Sequence, residues 1–113
     1  MFMSFRQHQR DQTNDDRRIL SVKQALASAI ASVDQEFQGL SLRVQTARND
    51  AGSLLGSEDG LSAARSEEDE RYLRAAELQL MSGLQRLSRL QQVASVLRDL
   101  DARLALFEAC GAH

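Results

Sequence analysis

The chain has 113 residues, a length that fits one domain, and with 42% apolar and 27% charged residues it is too hydrophobic and too regularly patterned for a disordered polypeptide. Its formal net charge is -2, and the basic residues, all Arg except Lys23, alternate with acids, which argues against a phosphate-binding stripe and so against nucleic acid as a partner. Proline is absent, glycine is limited to six, and the single cysteine, Cys110, excludes both an intramolecular disulfide and a multi-cysteine metal site.

The start, through Gln12, is polar apart from Met1, Phe2, Met3 and Phe5. It reads as an N-terminal arm over 1–12. Without a charged region ahead of an apolar one it does not resemble a signal peptide, and no apolar run reaches the roughly 18 residues that span a bilayer. A cytoplasmic protein without a membrane partner is the expectation, in keeping with the lone thiol.

Thr13, Asn14, Asp15 and Asp16 offer capping side chains and acids at a point where a helix can begin. The chain from 13 to 113 reads as a helical hairpin, with helix 1 over about 13–52, or from Ser4 if the arm continues it. At about 100° per residue, Ile19, Val22, Leu26, Ile30, Val33, Phe37, Leu40, Val44 and Ala51 share one narrow face. The opening spacings of three, four and four predict a straight seam. Gly39 lies off that face and weakens the helix without ending it.

Between Gly52 and Gly60 stand three glycines, two serines and an acidic pair, which predict a turn over about 53–60. Helix 2 then runs over about 62–109, with Ser66 to Asp69 in the form of a capping box and four acids, Glu67 to Glu70, in its first turn. Leu73, Leu80, Leu87 and Ala94 drift by about 20° per heptad, so this seam wraps. Beyond Leu90 the apolar set broadens: Val93, Val96, Leu97, Leu100, Leu104 and Phe107 span roughly 120°, an arc that touches more than one neighbour.

A fold about Ser57 pairs Phe37 with Glu77, Ile30 with Leu84, and Leu26 with Leu87 or Ser88. On that register Leu104 and Phe107 lie beside Phe5 and Gln9. Either the arm covers them through Phe2 and Phe5, or a second molecule does.

Residues that carry chemistry are sparse. His8 and His113 are near the termini and in no metal-ligand spacing; Glu67 to Glu70 are explained by helix electrostatics; no nucleophile or phosphate-loop pattern is present. No catalytic, cofactor or metal residue is assigned, and Cys110 reads as a free thiol. The basic residues Arg6, Arg10, Arg17 and Arg18 are offset by Asp11, Asp15 and Asp16.

The fold class is therefore all-α, an antiparallel coiled-coil hairpin of two long helices dimerising into a four-helix bundle. The function expected is non-enzymatic: a small adaptor, export chaperone, anti-activator or inhibitor that binds a protein partner, and itself as a homodimer. Its interface would be Val93, Val96, Leu97, Leu100, Leu104 and Phe107, supported by Phe2 and Phe5. An amphipathic coat protein on a lipid or polymer granule is the alternative, although its polar face would be expected to carry more Lys or Arg. A DNA-binding regulator is the lesser one.

Overall fold

The computed structural model describes residues 2–56 and 67–111, with side chains described over 4–52 and 67–110. Two α-helices account for them, α1 (Phe2–Gly56, 55 residues) and α2 (Glu67–Gly111, 45 residues), packed against each other as a hairpin. No strand occurs among the described residues, and no described helix is long and apolar enough to cross a membrane.

Helix α1 begins at Phe2 rather than at Thr13. The capping residues expected to start it are absorbed into its interior: Thr13 Oγ1 donates to the Gln9 carbonyl one turn back at 2.9 Å, and Asp15 pairs with Arg18 at 2.9 Å. Nothing between Phe2 and Gln38 breaks a helix, since neither Gly nor Pro occurs there. At the other end α1 runs through Gly52 to Gly56, because glycine lowers helix propensity without forbidding the conformation, and no described glycine has a positive φ. Of the turn expected over 53–60, residues 57–60 lie outside the described residues, as do Leu61 to Ser66, including the cap at Ser66. The four acids Glu67 to Glu70 do occupy the first turn of α2, where they face the positive end of its dipole.

The hairpin divides into two compact units, one of Met1–Val33 with Ala94–His113 and one of Asp34–Val93. In the Asp34–Val93 unit lie all the buried apolar side chains described: Val44, Leu73, Ala76 and Leu90, with Leu90 only 2% exposed. Half-buried Phe37, Leu40, Ala47 and Ala51 on α1, and Leu80 and Leu87 on α2, continue the seam at alternating steps of three and four. Gly83 holds one seam position of α2. A Cβ built on it would stand 2.6 Å from Val44 Cγ2 and 3.9 Å from Leu40 Cδ1, so the missing side chain is what admits Val44.

This contact corrects the expected register. Val44 meets Gly83, whereas a turn at Ser57 would have set it against Glu70; α1 is longer than expected, and the facing residues are displaced accordingly. In the unit of Met1–Val33 and Ala94–His113 the same correction holds, for Lys23 bonds Glu108.

That pair also revises the seam of α1. Val22 and the Lys23 side chain are each 50% exposed, and of the two it is Lys23, between half-buried Ile19 and Leu26, that bonds across to α2. With Lys23 in place, the seam of α1 steps by four and three from Ile19 onward. It carries the same seven-residue repeat as α2, where the apolar residues alone suggested a straight face. A long amphipathic Lys can hold such a site because its stem packs while its ammonium reaches a carboxylate.

Two glycine substitutions test this packing. Gly39 has no atom within 4 Å of a built Cβ, so Gly39→Ala should raise unfolding free energy by about 0.8–1 kcal/mol in urea titrations. Gly83→Ala should lose that gain to the clash with Val44, whose χ1 is stiff in a helix. The pair Gly83→Ala with Val44→Ala should then be less destabilised than the sum of its single changes, by about 1 kcal/mol in a double-mutant cycle.

Candidate interaction surface

Along α2 the seam positions from Leu90 to Leu97 are apolar, but those that follow include Asp101, which is exposed, and Glu108, which is half-buried. The apolar residues do not stop there. They shift to the flank of the helix: Val96 is 58% exposed, Leu100 46% and Phe107 61%, while Val93, Leu97 and Leu104 are half-buried between flank and seam. The helix thus shows a stripe of the seam-plus-one-flank kind that core-facing helices of bundles have, wider than two-stranded pairing uses.

Helix α1 contributes to the same surface. Val22 and Leu26 join Leu100, Arg103, Leu104 and Phe107 around an open groove of about 320 Å³ with an almost wholly apolar lining. On the other side of Phe107, Glu108 reaches across to Lys23, whose Nζ donates to Glu108 Oε2 at 2.9 Å. Gln12, Asp16, Ile19 and Leu20 flank that contact.

Of the residues expected to form the interface, the structure brings the six of α2 onto one stripe. It does not bring Phe5 to them. Phe5 is 63% exposed and lines neither groove at Phe107, because the register sets Val22 and Leu26 there instead. Phe2 lies in the first turn of α1, and its side chain falls outside the described residues. Val22 and Leu26 were not expected to lie here. Their signal in the sequence was the i, i+4 spacing beside a lysine, which a purely apolar reading of the seam passes over.

The Asp34–Val93 unit carries a second, larger open groove of about 1000 Å³, walled by Leu40, Val44 and Ala47 of α1 and by Tyr72, Ala76 and Gly83 of α2. Two of its lining residues form an ion pair. Arg86 Nε donates to Glu36 Oε2 at 2.7 Å and Arg86 Nη2 to Glu36 Oε1 at 3.0 Å, a two-pronged contact between the helices. The hydrogen bonds from Arg86, with the charges of Arg86 and Arg43 behind them, hold the Glu36 carboxyl below its ordinary value, and the bonds to Glu36 together with its negative charge raise the already high value of Arg86.

Among the described residues no group of three His, Cys, Asp or Glu side chains is placed to hold a metal ion, and no side-chain nitrogen or oxygen is buried without a partner. His8 and Cys110 are exposed; His113 lies outside the described residues. The chain matches no protein-family model, no curated protein and no solved structure.

The Arg86 contact has a pH signature. A carboxyl whose folded value is lowered adds stability above its unfolded value and loses it as pH falls through the folded one. Carbon NMR should find Glu36 titrating below the usual ~4.3 of a glutamate and returning to it in Arg86→Gln. The stability lost on that substitution should be visible at neutral pH and vanish in acid.

Proposed function

We propose that this chain is a non-enzymatic protein–protein interaction module, of the kind represented by small adaptors, export chaperones, anti-activators and inhibitors, which engages another polypeptide through the apolar stripe of α2. The observation that carries this is the joint exposure of Val96, Leu100 and Phe107 on one helix flank, continued by Val22 of α1. Scattered exposed apolar residues are ordinary, but a contiguous row at helical spacing beside an apolar groove is what a helix-in-groove contact uses. The groove is open and lined by few polar groups, which suits side-chain packing better than the enclosed, polar-tipped pocket of a small-molecule site.

The experiment compares affinity capture from the native organism by the wild-type chain and by the double variant Leu100→Asp, Phe107→Asp. Neither residue is buried, Leu100 being 46% and Phe107 61% exposed, so circular dichroism should show the helices intact. The wild type should retain at least one protein that the variant loses. Equal retention by both chains, with equal helicity, would place the binding face elsewhere.

A further inference from the structure

Resting on that reading of the stripe, we infer that its occupant is a second copy of this chain, with α2 packed antiparallel against α2 about a two-fold axis that passes Leu100. The spacing of the stripe carries the argument. From Leu100, apolar residues lie seven and four positions before it, at Val93 and Val96, and four and seven after it, at Leu104 and Phe107; Leu97, three before, faces the seam with α1 and is mirrored by Arg103. A two-fold interface requires one patch to complement itself when reversed, and this row reads the same in both directions. Val93 then meets the partner's Phe107, Val96 meets the partner's Leu104, and Leu100 meets the partner's Leu100.

The angles agree with the spacing. At about 100° per residue, Val93, Val96, Leu104 and Phe107 all fall within roughly 40° of Leu100. Asp99 and Asp101 fall about 100° to either side, which leaves the row itself uncharged. Arg103 lies about 60° off, at the margin of the row, where its stem can cover apolar surface while the guanidinium stays in water. The seam that α2 shares with α1, through Leu90, Ala94, Leu97 and Leu104, centres about 80° from Leu100. Two neighbours roughly at right angles around one helix is the arrangement of a four-helix bundle.

The area is of the right order. The exposed parts of Val22, Val96, Leu100 and Phe107 make an apolar patch of a few hundred Å². Pairing across a two-fold axis doubles it toward the ~1,000 Å² at which specific interfaces begin.

Light scattering at micromolar concentration should give about twice the 12.6 kDa of one chain, and Leu100→Asp should return the single-chain mass with helicity unchanged. The axis is tested in a Cys110→Ser background with a short bis-maleimide linker. Leu100→Cys should link to itself, because the residue sits on the axis. Val93→Cys and Phe107→Cys should each link poorly alone, their copies standing about 20 Å apart along the helices, yet link to each other when the two variants are mixed. A single-chain mass for the wild type overturns the inference, as does a dimer in which Leu100→Cys does not self-link and the mixed pair does not join. A monomer that still captures a protein lost by the double variant defeats this inference and leaves the interaction reading standing. A dimer with the expected links that captures nothing beyond this chain itself upholds the inference and removes the adaptor, chaperone or inhibitor role from the interaction reading.

Discussion

A hairpin of two helices has one shared seam in which to hide apolar atoms, and the rest of this molecule follows from how that seam is filled. Val44 enters it where Gly83 withholds a side chain, and Leu73, Ala76 and Leu90 continue it. Small residues let the backbones approach but remove little apolar area from water, and each buried methylene is worth only about 0.8 kcal/mol. A seam that sets Val44, Ala76 and Gly83 among its leucines is therefore well defined but thinner than an all-leucine one. It brings the helices together without consuming the apolar surface they carry.

That economy gives the charged pairs their importance. Lys23 and Glu108 occupy or border seam positions and bond across it, and Arg86 grips Glu36 with two donors from its flank. Exposed pairs of this kind contribute about 0–1 kcal/mol each, so they do not hold the helices together. Their use lies in selecting one alignment among those a seven-residue repeat permits, since a slipped hairpin would still match apolar rows but would part the charges. The same reasoning explains why Leu26 and Val22, rather than Phe5, stand beside Leu100 and Phe107.

Much of this architecture was legible in the residues. The absence of proline and the apolar rows on each segment led directly to two long helices, and the broad set from Val93 to Phe107 was recognisable as more surface than two-stranded pairing needs. The register was not legible, and the reason is physical. Gly52 and Gly56 look like turn residues, yet glycine inside a helix costs only about 1 kcal/mol relative to alanine, and α1 absorbs both. An error at the fold point then displaces every facing pair. The place of Lys23 in the seam was hidden for a different reason: an apolar count favours Val22, whereas the partner that makes a lysine acceptable there, Glu108, is 85 residues away in the chain.

The continuation of α1 to Phe2 has an energetic consequence of its own. Every described side chain from Ser4 to Arg18 is exposed, so this stretch keeps its shape by local means: backbone bonds, the Asp15–Arg18 pair and its attachment to the packed helix that follows. An isolated helix of such length is marginal in water. Opening should therefore come first in this stretch, with amide protection that rises toward Ile19. Arg6, Arg10 and Arg17 would be the first peptide bonds offered to a trypsin-like protease, ahead of any arginine beside the seam.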